Sequence, residues 1–153
     1  MSSQTIADVH DEIVDEFEFL DDWMDRYQHI IDLGRKLPPY PSEFQTDDYK
    51  VRGCQAQVWF HADERDGKLY FEAISDAAIV SGLIAMLLRA YSGFSPREIL
   101  EAGHNFIDRI GLTAHLSPTR GNGLNAMLRT IQNYATATLQ RSQALSTPSE
   151  TIQ

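Results

Sequence analysis

Between Ala77 and Tyr91 the chain is apolar almost all round, with only Ser81 and Arg89 breaking the run. A helix of this kind has no face to give to water, so the remaining elements must wrap it. Asp76 stands immediately before it, with a side chain suited to capping its first turn. The run is shorter than the ~20 apolar residues that a membrane crossing needs, and nothing else in the chain approaches that length. A buried central helix is therefore the frame for everything else. With 153 residues and 42% hydrophobic content, one domain burying roughly two-thirds of its unfolded surface suffices to surround it.

Upstream, Val9, Ile13, Phe17 and Leu20, then Trp23, Tyr27, Ile30 and Ile31, recur at helical spacing, the pattern of one bent helix or two. Gly34 is the expected stop. Leu37-Pro38-Pro39-Tyr40-Pro41 cannot continue a helix, because proline lacks the amide donor and restrains its predecessor, so a loop-like crossing follows to about Lys50. Gln55 to His61 and Lys68 to Ile74 alternate in polarity around Asp66-Gly67, a hairpin signal, and Trp59, Phe60, Tyr70 and Phe71 read as sheet core. Ser95-Pro96-Arg97-Glu98 is a capping box with proline at the first helical position. A short helix is expected around Asn105 to Ile110. Ser117-Pro118 starts a last one, striped by Leu124, Met127, Leu128, Ile131 and Ala135 toward Leu139. From Ser142 the apolar spacing ceases, so 142–153 reads as a flexible tail and 1–141 as a single domain that includes the acidic helical segment 6–22. The expected fold class is α+β: a small antiparallel β-sheet packed against several helices.

The net charge of −9 is unevenly placed, since nine of the 22 acidic residues precede Arg26 and the other 13 are balanced by all 13 Lys and Arg. Such a chain repels nucleic acid and anionic membrane, both of which are bound through clustered cations; a basic protein surface is the partner this end could attract, and a solvated helix face is its plainer reading. An acidic start is the opposite of a signal or transit peptide, and the expected location is cytoplasmic. Cys54 is the single cysteine. A disulfide within the chain, four-cysteine iron-sulfur ligation and a clustered-thiolate zinc site are thereby excluded.

Cys54 lies where a basic approach, Lys50 and Arg52, meets the start of the first strand. Gly53 allows a positive φ and a sharp presentation of the next side chain. The nearby cations favour a thiolate, the reactive form; equally, a lone cysteine can be inert core filler. His61 and His115 are candidate bases for a Cys-His pair, although each has a structural reading as a hydrogen-bonded histidine.

Gly53-Cys54-Gln55-Ala56-Gln57-Val58-Trp59 resembles the active-site segment of the SufE family of sulfur-acceptor proteins in iron-sulfur cluster assembly. Leu37-Pro38-Pro39, Ser75-Asp76-Ala77-Ala78-Ile79-Val80 with Gly82-Leu83, and His115-Leu116-Ser117-Pro118-Thr119-Arg120 with Gly123-Leu124 stand in the family's order, so the resemblance spans roughly residues 23 to 140. Ala56 departs from it, since the family commonly has Ser there. The resemblance implies that Cys54 takes sulfane sulfur as a persulfide from a pyridoxal-phosphate-dependent cysteine desulfurase, stimulates that enzyme, and passes the sulfur to an iron-sulfur scaffold complex or other acceptor. Gly53, Gln55, Asp76, His115 and Arg120 are the implied supporting or partner-binding residues. The pyridoxal phosphate belongs to the partner, and no cofactor or metal is expected on this chain. Val58, Trp59 and the central helix are expected to line a cavity that shelters the persulfide. An independent cysteine-dependent hydrolase or transferase, and a non-catalytic interaction module, are the alternatives. Oligomeric state is open, a homodimer included.

Overall fold

The computed structural model of the chain describes residues 4–146. Its elements run α1 (Ile6–Glu18), α2 (Trp23–Arg35), two 3-10 turns (Ser42–Phe44 and Asp47–Tyr49), β1 (Val58–Arg65), β2 (Lys68–Ser75), α3 (Ala78–Tyr91), α4 (Pro96–Ala102), α5 (Asn105–Ile110), α6 (Leu112–His115) and α7 (Pro118–Ser146). A two-stranded antiparallel sheet packed with helices is the α+β arrangement expected. The first helical stretch is two helices: Thr5 and Asp8 form a capping box on α1, and the Asp22 carboxylate accepts the Asp25 amide to start α2. Such caps satisfy amides that the first turn leaves without partners.

At the centre stands α3, with Leu83, Ile84, Met86 and Leu87 fully enclosed. Its two polar interruptions have partners. Arg89 pairs with Glu12 and Glu16 of α1, while Ser81 donates its hydroxyl to Ser75 O. Together with Asp11 bonding Arg109 at 2.7 Å, these pairs fix the acidic first helix to the body, and its apolar stripe of Val9, Ile13 and Phe17 is buried. Buried His10 adds a contact between its Nε2 and Ala90 O at 3.1 Å.

α2 crosses α3 almost backbone to backbone. A Cβ placed at Gly82 would lie 2.0 Å from Ile30 O, and one at Gly34 would lie 2.6 Å from Gly82 N. Gly34 is therefore no helix stop: α2 continues through it to Arg35, and the missing side chain serves the crossing.

In the hairpin, Asp66 and Gly67 both take positive φ (54° and 78°), the mirror-image turn whose twist matches the flanking strands. Val58, Phe60, Leu69, Phe71 and Ala73 face the core. Trp59 and Tyr70 lie on the other face, half-buried beneath Lys50 and Arg65, so they are not core as expected. Short bridges flank both strands: Val51 N donates to Val58 O beside β1, and Leu69 N donates to Phe94 O beside β2.

α7 runs from the far side of α3 to the sheet, where the Tyr134 hydroxyl donates to Phe60 O at 3.1 Å. It continues to Ser146, so the segment expected to be a tail from Ser142 begins as helix; residues 147–153 lie outside the described residues. No described helix is long and apolar enough to cross a membrane.

Candidate functional site around Cys54

The loop between the Lys50–Trp59 bridge and the start of β1 carries Cys54 and lies on α7. Gly53 turns it with φ 92°, as the sequence suggests. It also brings the loop within ordinary contact distance of Ala126, because a Cβ at Gly53 would lie 3.4 Å from that of Ala126. Gly123 supplies the matching gap in the helix, where a Cβ would stand 3.5 Å from Cys54 Sγ. Into that gap the thiol donates to Gly123 O at 3.5 Å. Cys54 is thus a free, half-buried thiol packed at the margin of the core.

Beside it opens a cavity of about 320 Å³, walled by Ala56 from the loop, Ala77, Val80 and Leu83 from the start of α3, and Leu124 and Met127 from α7. Ser117, Thr119 and Arg120 form its polar side. The expected contribution of the central helix is present. Val58 and Trp59 do not line the cavity; the first half of α7 takes their place, because Val58 turns into the core and Trp59 to the outer face.

Burial pushes the Cys54 thiol above its ordinary value of 9.0, and the charge of Arg129 partly opposes this. The resting group is therefore a protonated thiol at neutral pH, not a standing thiolate. The cation that acts on it comes from α7 rather than from Lys50 and Arg52; Lys50 is turned over the Trp59 ring at 5.9 Å.

Asp76 does not cap α3. The helix starts after Ala77 with no side-chain cap, the Ala77 amide going to Ser75 Oγ instead. The Asp76 carboxylate accepts the Gln57 amide at 3.1 Å and the Asp76 amide reaches Gln57 O at 3.4 Å. This reciprocal pair ties the end of the Cys54 loop to the end of β2, and β1 begins just beyond it at Val58 rather than at Gln55.

Gln55 and Arg120 both line the cavity. Arg120 lies in the first turn of α7, its amide on Ser117 Oγ at 3.2 Å, and among the described residues its side chain has no ion-pair partner. His115 is elsewhere, stacked on Trp23 at 3.8 Å with its Nδ1 on Gly111 O. His61 stacks on Phe44 and faces Glu72 at 3.4 Å. Neither histidine lines the cavity, so no Cys-His pair is assembled. Among the described residues no group of three or more His, Cys, Asp and Glu is placed to hold a metal ion.

Sequence reading passed over Arg129 and Ala126, took Leu124 and Met127 only as a helix stripe, and met Gly123 only through the family resemblance. The available signal was the small pair Gly123 and Ala126, three apart on one helix face, which marks a close backbone approach.

The family described as SufE, the Fe-S metabolism associated domain, matches residues 11–135. The chain is 45% identical over 130 residues to an uncharacterized SufE-like protein of Rhizobium meliloti, covering 82% of this chain and 93% of that one. It is 36% identical over 137 residues to an uncharacterized SufE-like protein of Synechocystis, covering 90% and 86% respectively. The solution structure of a hypothetical protein from Thermus thermophilus superposes with a TM-score of 0.72 at 26% identity, covering 86% of this chain and 96% of that one.

Proposed function

Since the chain belongs to the SufE family and so to Fe-S metabolism, we propose that it is a cytoplasmic sulfur carrier whose Cys54 accepts sulfane sulfur from a cysteine desulfurase and passes it on for iron-sulfur cluster assembly. The observation that carries this reading is a sole free thiol on a loop closed over an apolar cavity. In the transfer, Cys54 Sγ attacks the outer sulfur of a donor persulfide. The donor sulfur-sulfur bond breaks, a new one forms on Cys54, and the donor cysteine leaves with the proton that Cys54 gave up. Two thiol-level partners exchange one sulfane sulfur, so no external oxidant or reductant is needed.

Each part of the site has a task in that sequence. With Sγ turned inward onto Gly123 O, a movement of the loop off α7 would present it to a donor on another protein, and Gly53 beside it leaves the backbone free to turn. Leaving the apolar wall removes the burial that raises the thiol's pKa, so exposure lowers the cost of forming the attacking thiolate. Returned to the cavity, the persulfide is kept from water and reductant by Val80, Leu83, Leu124 and Met127. Arg120 at the rim, without an ion-pair partner among the described residues, suits an anionic sulfur or the partner's surface. An independent hydrolase has no base beside the thiol among the residues that line this site.

Intact-protein mass after incubation with a cysteine desulfurase and free cysteine tests the proposal. The wild type gains one or more sulfur atoms that a reductant removes, and Cys54→Ser gains none. No gain on the wild type with several desulfurases would overturn it.

A further inference from the structure

Across the Cys54 loop from the apolar cavity lies a second depression, of about 480 Å³. Lys50 and Arg52 line one wall, and Arg129 and Asn133 of α7 line the other. None of Lys50, Arg52 and Arg129 has an ion-pair partner among the described residues, whereas Arg35, Arg65, Arg89 and Arg109 do. The depression holds one carboxylate, Asp48, which forms no ion pair with these cations. Cations collected without counter-charges repel each other and raise the local positive potential, which an incoming anion relieves. In a molecule of net charge −9 this collection is local.

Shape narrows the class of anion. The α7 wall extends from Ala126 to Ala137, about 16 Å at the helical rise of ~1.5 Å per residue. That is too long for a single phosphate and matches four or five residues of extended chain at ~3.3 Å each. Thr130 and Asn133 offer hydrogen-bonding groups, while Val51 and Phe60 provide apolar floor. Position matters as well: a Cβ on Gly53, next to Cys54, would stand 3.9 Å from the Arg129 guanidinium.

We propose that this groove is the docking site for an acidic, extended peptide segment of the protein that exchanges sulfur with Cys54, a reading that rests on the carrier function above. Carboxylates of the segment meet Arg52 and Arg129, and the docked partner then stands at the loop that carries the thiol. Charge pairing of this kind sets encounter rate and orientation and weakens with salt.

Two measurements test it with Arg52→Glu/Arg129→Glu, a double reversal at exposed positions, against Lys68→Glu/Arg97→Glu as a charge-matched control. First, a blocked hexapeptide of Glu and Ala is titrated into the labelled protein and followed by amide shifts. Shifts should concentrate at residues 48–53 and 126–137, vanish in the groove variant, persist in the control, and exceed those from equimolar inorganic phosphate. Shifts elsewhere, or phosphate binding as tightly as the peptide, would overturn the proposal. Second, affinity for the desulfurase should fall about tenfold or more in the groove variant alone. Sulfur uptake by wild-type Cys54 with unchanged affinity of the groove variant overturns the docking site while the carrier reading stands. Absence of uptake by the wild type overturns the carrier reading, and this partner with it.

Discussion

A thiol that donates to a backbone carbonyl from half-burial is in storage, and its chemistry is set by how far it is from water. Because burial raises the Cys54 pKa and Arg129 lowers it, alkylation by a small reagent should be slow at neutral pH and rise with pH past the ordinary thiol value of 9.0. Arg129→Ala should move the midpoint of that rate profile further upward. A midpoint below 9.0 in the wild type, or a downward move in the variant, would contradict this account of the thiol's resting state. Cys54 itself was legible in the sequence, being the single cysteine behind a glycine. Its electrostatic partner was not. The nearest cations along the chain are Lys50 and Arg52, but the loop lies on α7 and meets Arg129 across the fold, a contact that sequence proximity cannot report. Asp76 was misread for a related reason: a carboxylate before a helix has the signature of a cap, and only the return of β2 beside Gln57 shows it a competing amide.

Among elements, the α2–α3 crossing is the contact least able to absorb change. Gly82→Ala would set a methyl 2.0 Å from Ile30 O, so the two helices must separate. The expected loss lies at or above the upper end of the ~1–3 kcal/mol typical of overpacking, a drop in Tm of about 6–12 °C for a chain of this size. Thermal unfolding followed by circular dichroism measures it, and Gly67→Ala is no control, since its positive φ of 78° brings strain of its own. Gly121→Ala is the better comparison, because nothing lies within 4 Å of a Cβ there, and as a helical glycine it should hold Tm or raise it by about 2–4 °C rather than lower it. The existence of α3, of the hairpin and of α4 was readable because apolar run, Asp-Gly turn and capping box are all local signals. The role of Gly34 was not, since a glycine that ends a helix and one that admits a neighbouring backbone look identical in one dimension.

At the scale of the molecule, the acidic N-terminal helix is bound into the body and is more than a solvated face. Its carboxylates reach Arg89 and Arg109, residues far along the chain, so charge counting alone could not pair them. His10 completes the attachment. Burial depresses its pKa below 6.5, with the bond to Ala90 O and the charge of Asp11 opposing and Arg109 assisting, while the rings of Tyr91 and Phe106 enclose it. The folded protein thus resists a proton that the unfolded chain accepts, so stability present above pH 6.5 declines as pH falls toward the depressed folded value. Urea midpoints should fall over that interval, and less steeply in His10→Gln, which keeps a donor for Ala90 O without titrating; equal slopes would exclude His10 as the cause. A two-stranded sheet ordinarily presents two open margins to any extended chain that drifts past. Here Val51 and Phe94 already occupy a rung on each margin, so a strand from a neighbouring copy finds its pairing interrupted on both sides. The hairpin is in this way insulated against the ladder growth that leads to aggregates.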